Sequence, residues 1–314
     1  MRRLRLLITV LTLLLGCPLS AVTAQETATP ELVVESPNDF PTHAARIRDL
    51  DPQRLAHAMR VLGLRRPGPP IRLTLAGEDS TVAQNTPAWI AGFAYPSLGV
   101  AVLFPERSPA YPDSNFEDLV LHEVSHILTA RAAGGRAVPR WLDEGLALFI
   151  GRPWQLEDRS RLTWAMLWEK EVPLAELESR FNSDRSSASR AYAISGAFVH
   201  DLVRKRGPDS AAAILSGISF GLPFPEAFRR AVGASLEQAE EYFWEYHSLW
   251  YRWVPILSSS MALWIAISLL ALVAFRRRRA LDAAQIEQWE EQEQRLEDEA
   301  RSPIHGELPP GPLN

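Results

Sequence analysis

Two stretches decide how this chain is read. They are Leu121-His122-Glu123-Val124-Ser125-His126-Ile127-Leu128 and, shortly after, Pro139-Arg140-Trp141-Leu142-Asp143-Glu144-Gly145-Leu146-Ala147. The first contains the pattern H-E-x-x-H. Four helical residues turn through about 400°, so His122 and His126 lie on one face, a turn apart. Two imidazoles so placed can converge on one zinc ion. Glu123 stands about 100° round from His122, near enough to act on a water at the metal without being a ligand.

The flanking residues predict the helix that this argument needs. Ser114-Asn115-Phe116-Glu117 fits a capping box with Ser114 as the N-cap. Phe116, Leu119, Val120, Ile127 and Leu128 supply apolar faces, and Gly134-Gly135 ends the element. Glu117, Asp118 and Glu123 argue against a helix embedded in lipid. A purely structural zinc site is a poorer reading, because such sites favour cysteine and four protein ligands. The only cysteine is Cys17, far from the motif.

A catalytic zinc wants a third protein ligand. Asp143 and Glu144 are both candidates, and adjacent helical residues face about 100° apart, so only one can point at the metal. At this point the chain resembles the gluzincins, the thermolysin-like zinc peptidases, and in particular the bacterial peptidase-MA-like proteins. Their pattern pairs H-E-x-x-H with W-x-x-E-G-x-A on the following helix, matched here by His122 to His126 and by Trp141 to Ala147. The resemblance is best from about Pro112 to Phe149 and extends more weakly to Gly207 and back toward Pro41.

The resemblance implies a zincin-like fold, Zn2+ as cofactor, His122, His126 and Glu144 as metal ligands and Glu123 as catalytic base. It favours Glu144 over Asp143. It further points to Tyr192, near the start of a later helix, as a donor of a hydrogen bond to the oxyanion, the other reading being a tyrosine packed at a helix face. Thermolysin carries an aspartate four residues after its zinc glutamate, bracing a zinc histidine. Here that position is Leu148, so the brace comes from elsewhere, Asp143 being one source, or is missing. His43, His57, His200 and His247 have no spacing partner and are read as surface or capping residues.

Outward from the motifs, the pattern is α+β: a small N-terminal sheet, then helices. Residues 25–38 read as an extended linker, and 39–250 as the zincin-like metallopeptidase domain. Asp39–Leu64 is helix-rich, and Ile71–Leu75 alternates as a strand does. Trp89–Tyr95 and Gly99–Phe104 are two further apolar pieces, joined by a hairpin turn at Pro96–Leu98. Either could offer an edge to a peptide substrate lying as an added strand.

Both ends suggest a membrane. Residues 1–24 read as a signal peptide: Arg2, Arg3 and Arg5, then apolar Leu6–Leu15, then small residues ending at Ala24. Lipidation at Cys17 is the rival processing route, poorly served by Leu15 and Pro18. Val254–Phe275 holds no charge and predicts a transmembrane helix, with aromatic Trp250, Tyr251 and Trp253 before it. Arg276–Arg279 follow directly, which places residues 276–314, a basic stop and an acidic tail with a helix over Asp282–Ala300, in the cytoplasm. The expectation is a single-pass protein of the cell (inner) membrane with its catalytic domain periplasmic or extracellular.

Composition narrows the classes. Of the 314 residues 46% are hydrophobic and 23% charged, which excludes a largely disordered chain. The net charge of −5 gives no reason to expect nucleic acid as a partner. The expected partners are a peptide or protein substrate and the membrane. The functional expectation is an extracytoplasmic zinc metallopeptidase, with Glu123 activating the zinc-bound water. The alternative is a zinc-binding, gluzincin-like ectodomain that assembles or binds proteins without cleaving them.

Overall fold

The computed structural model describes residues 28–35, 39–109, 111–168, 171–257 and 260–301. They form two units, Met1–Glu245 and Tyr246–Asn314.

The first unit is α+β. Four strands, β1 (Leu32–Glu35), β2 (Ile71–Leu75), β3 (Gly92–Tyr95) and β4 (Val100–Leu103), make a mixed sheet in the order β1-β2-β4-β3. β1 runs parallel to β2. A parallel return requires a crossover, and α1 (Pro41–Arg48) and α2 (Pro52–Val61) provide it. The side chain of Asp51 caps α2 by accepting from the Gln53 N–H, with Pro52 in the first turn. In β2 the alternation has its expected effect: Ile71, Leu73 and Leu75 are buried and Arg72 faces out.

A short helix, α3 (Thr81–Gln84), precedes β3, which pairs antiparallel with β4 through Phe93↔Val102 and Tyr95↔Val100. The expected hairpin is present, with a 3-10 turn at Pro96–Leu98. Its strands are shorter than the apolar runs: Trp89 and Ile90 lie before β3, and Ala91 only accepts from the Phe104 N–H at 2.8 Å. The stretch expected as a linker contains β1, whose Val34 and Leu32 pack against the core. Those residues are extended, as expected, but they are held in the sheet rather than acting as a free tether.

Among the described residues eight α-helices follow: α4 (Phe116–Ala132), α5 (Arg140–Gly151), α6 (Leu156–Trp168), α7 (Leu177–Phe181), α8 (Arg185–Arg206), α9 (Ser210–Ser219), α10 (Phe224–Val232) and α11 (Leu236–Leu257). α4 lies between the sheet and α5, and α5 lies against α8. Gly145 sets that last approach. A Cβ there would stand 2.6 Å from the Ser195 carbonyl oxygen and 2.5 Å from Val199 Cγ2, so only glycine fits. Trp141, by contrast, is a packing residue, buried edge-on against Phe198 and Phe224.

The start of α4 is one residue later than the capping box predicts. Asn115 is the N-cap: its side-chain oxygen accepts from the Asp118 N–H, and its amide donates to the Asp118 carboxylate at 3.0 Å. Asparagine can make both bonds, whereas Ser114 would have needed Glu117, which is paired with Arg46. Asp118 also takes Arg54 Nη2 at 2.7 Å. The acidic first turn of α4 is thus tied to α1 and α2.

In the second unit α11 ends at Leu257 and α12 runs from Ser260 to Arg301, past the four arginines and through the predicted tail helix. Residues 258–259, inside the expected span Val254–Phe275, lie outside the described residues, as do 1–27 and with them the expected signal peptide and Cys17. Among the described residues no helix is long and apolar enough to cross a membrane, so the predicted C-terminal transmembrane helix is not among the elements found. Leu263, Trp264, Ile265, Leu270 and Phe275 on α12 are exposed.

Candidate metal centre

α4 carries His122, Glu123 and His126, and α5 carries Asp143 and Glu144. The two helices bring Nε2 of His122 to 3.4 Å and Nε2 of His126 to 3.6 Å from one atom, Oε2 of Glu144. The imidazole rings are 5.0 Å apart. One ligand atom from each of His122, His126 and Glu144 lies within 4.8 Å of the others, and this is the one such cluster among the described residues. His43, His57, His200 and His247 do not join it.

The two Nδ1 atoms face carboxylates. His126 Nδ1 lies 2.9 Å from Asp143 Oδ2, and His122 Nδ1 lies 3.4 Å from Asp113 Oδ1. A carboxylate accepts, so His126 Nδ1 donates to Asp143 and its Nε2 presents a lone pair. His122 Nδ1 faces Asp113 without a formed hydrogen bond, and a proton there leaves its Nε2 likewise free to accept. Three acceptors therefore converge, and Glu144 Oε2 is buried without a hydrogen-bond partner. Such an arrangement is costly unless a cation sits among the three atoms. Zinc fits. Ligands about 2 Å from a tetrahedral ion stand roughly 3.3 Å apart, close to the separations seen.

Without a metal, protons take the cation's place. Burial opposes charge on His122, but Asp113 and Glu144 outweigh it and raise the group well above its ordinary value. Burial likewise opposes charge on His126, and Asp143 carries it up to about 9. For Glu144 burial works upward, yet His122 and His126 pull it down to about 2. Arg140 steadies the same carboxylate from solvent, with Nε 3.3 Å from Oε1, while its Nη1 donates to Asn182 at 2.7 Å.

Glu123 is buried beside the cluster, and its Oε2 has no partner. Burial raises it to about 7, partly offset by His122 and His126. Above it passes β3: a Cβ on Gly92 would lie 3.2 Å from both Cγ and Oε1 of Glu123. Glycine thus allows the edge strand to run directly over the carboxylate. Gly92, Trp89, Tyr111, Asp113 and Tyr192 line a cavity of about 40 Å3 with His122 and Glu123.

Each residue expected at the site is present there. Glu144, and not Asp143, faces the two Nε2 atoms. Tyr192 stands on α8 with its ring 6.4 Å from that of His122. Burial, with Glu144 and Glu123 nearby, raises its phenol well above the ordinary value, so the hydroxyl keeps its proton. Sequence reasoning missed Asp113 and Tyr111. Asp113 places a carboxylate 3.4 Å from His122 Nδ1, where Leu148 offers none, and Tyr111 brings a second phenol to the cavity, its ring under the Arg161 guanidinium at 3.9 Å. The one local hint was the position of both just before the α4 cap.

The family model of the Peptidase MA superfamily matches residues 69–248. The chain belongs to the Peptidase MA superfamily. The match takes in β2, the hairpin and every residue of the cluster, while β1, α1 and α2 precede it. No curated protein matches the chain. Membership supports a metallopeptidase-like fold and, at that coarse level, a peptidase-like enzyme.

Proposed function

We propose that this member of the Peptidase MA superfamily is a zinc-dependent peptidase of gluzincin type. One observation carries the reading: two histidine Nε2 atoms and an orphaned Glu144 oxygen converge beside a buried, unpartnered Glu123. Zinc held by His122, His126 and Glu144 would supply Lewis-acid polarisation of the scissile carbonyl and a more acidic attacking water.

The chain's own residues do the rest. Glu123 takes the proton of the attacking water and later delivers it to the leaving amine. Asp143 holds His126 in the Nδ1–H tautomer, and the Asp113 carboxylate, 3.4 Å from His122 Nδ1, favours the same tautomer there. Tyr192, protonated, donates to the developing oxyanion. β3 is an edge strand, so a peptide can add alongside it over Gly92.

The location is part of the proposal. Residues 1–24 act as a signal peptide, and the exposed apolar surface from Leu263 to Phe275, followed by Arg276–Arg279, anchors the chain in the cell membrane. The catalytic unit faces the periplasm or exterior and the tail the cytoplasm.

The alternative, a zinc-holding module that binds proteins without cleaving them, draws on the size of the cavity over Glu123, about 40 Å3. That is room for water and not for a peptide. The test is Glu123→Gln. The variant is expected to keep zinc and lose peptide hydrolysis by about 100-fold or more. Equal hydrolysis by both proteins refutes the mechanism, and hydrolysis by neither, over broad peptide mixtures, favours the binding module.

A further inference from the structure

Beyond the small cavity lies a much larger one, of about 510 Å3. The two share walls, since Tyr111 and Tyr192 line both. The larger cavity is bounded by α2, the end of α5 with the turn after it, and α8. Its volume falls within the range of roughly 300–1,000 Å3 in which small ligands bind.

Its lining is a run of rings. Trp154 stacks on His200 at 5.1 Å and 25°, Phe149 meets His200 at 6.2 Å, and His57 meets Phe149 at 6.4 Å. Burial lowers His57 and His200 from their ordinary value, so near neutrality both rings are uncharged. The cations of the wall are already committed. Arg152 pairs with Asp158, and Arg54 binds Asp118 and the Gly151 carbonyl. At the mouth the Arg60 Nε–H donates to the Ala56 carbonyl at 3.4 Å, and Asp51 accepts from the Gln53 N–H. What remains for a ligand is aromatic surface, not charge.

We infer that this cavity receives an aromatic side chain of the substrate peptide. The inference rests on the peptidase reading for the peptide and on the cavity alone for the aromatic group. A chain lying over Glu123 finds its nearest large recess past Tyr111 and Tyr192. An aromatic ring entering it can pack offset or edge-on against Trp154, Phe149 and His200. The pocket selects the side chain next to the bond that Glu123 acts upon.

The test begins with binding, which needs no turnover. The full-length chain is labelled with 5-fluorotryptophan, and the Trp154 resonance is assigned by its loss in Trp154→Phe. N-acetylphenylalaninamide is expected to shift that resonance saturably in both wild type and Glu123→Gln, and N-acetylalaninamide to leave it in place. No saturable shift, or equal shifts with both probes, overturns the inference. Cleavage of a peptide library is then expected to favour an aromatic residue at one position. Trp154→Ala should lower kcat/KM for those peptides by about 3- to 10-fold relative to peptides with a small residue there, with Trp154→Phe restoring most of it. Cleavage with no aromatic preference sinks the pocket and leaves the peptidase standing. Saturable binding without any cleavage by wild type sinks the peptidase and leaves the aromatic site.

Discussion

Asp143 Oδ2 stands 2.9 Å from His126 Nδ1, on the side of the imidazole away from Glu144. Adjacent residues of α5 thus grip the same histidine from its two nitrogens, one as brace and one across the metal position. Asp143→Ala should weaken zinc binding by about 10- to 100-fold with one site per chain retained. Glu144→Ala should weaken it further, because it removes a ligand. Zinc titrations of the two variants decide the matter; the reverse order would exchange the roles.

Asp113 faces His122 Nδ1 at 3.4 Å, a charge contact where Asp143 makes a hydrogen bond to His126. Asp113→Asn keeps the shape and loses the charge. Zinc affinity is expected to fall by about 10-fold or more, and Asp113→Asn with Asp143→Asn to cost more than either alone. A single variant with wild-type affinity in competition against a chelator would show that Asp113 is a packing neighbour only.

Why Asp143 was legible and Asp113 was not is a matter of where the information sits. His122, Glu123 and His126 share one helix, so their relative directions follow from a fixed rotation per residue. Glu144 and Asp143 required only that the next helix return against the first. Asp113 meets His122 through the path of an irregular segment, which no periodicity describes. Tyr111 shares that segment. β1 was missed for a related reason: Leu32-Val33-Val34-Glu35 is a strand of four residues whose partner, β2, lies beyond two helices. The cap moved from Ser114 to Asn115 because Glu117, the residue a capping box needs, is engaged by Arg46 from α1.

Proton release should accompany metal binding. In the metal-free protein His126 lies at about 9 and His122 well above its ordinary value, so both hold protons at neutrality. A metal at Nε2 displaces them. Affinity should therefore rise with pH between about 6 and 8, and calorimetry in two buffers of different ionisation enthalpy should count between one and two protons released. The metal-free fold has the matching sign. A folded value above the unfolded value of about 6.5 gives stability that is full below that value and lost as pH rises through about 9. A proton count of zero would show that the histidines are already neutral.

Gly145 is tested by stability. Gly145→Ala puts a methyl 2.6 Å from a backbone oxygen of α8, which cannot yield without moving the helix that carries Tyr192. A loss of about 1–3 kcal/mol is expected, or several degrees in Tm for a domain of this size. Gly151→Ala, whose nearest contact would be an ordinary 3.4 Å, should change Tm little. Equal melting of wild type and Gly145→Ala would mean that α5 and α8 have slack.

Tyr192 is tested against Tyr111, since both phenols line the cavity over Glu123. Tyr192 sits on a regular helix, α8, which Gly145 holds tightly against α5 and hence in a fixed relation to Glu144. Burial, with Glu144 and Glu123 nearby, raises its pKa and favours the protonated hydroxyl that a donor needs. Tyr111 shares the protonated state, raised by burial, but its ring is engaged by Arg161. If Tyr192 is the oxyanion donor, Tyr192→Phe should lower kcat by about 10- to 1000-fold. KM should move little, because the bond forms mainly in the transition state. Zinc content and Tm should hold, because the ring and its edge contacts with His122 and Phe181 are kept. Tyr111→Phe should leave kcat within a few-fold of wild type. A large loss in Tyr111→Phe with normal kcat in Tyr192→Phe would transfer the role to Tyr111 and leave the zinc ligands and Glu123 where they are.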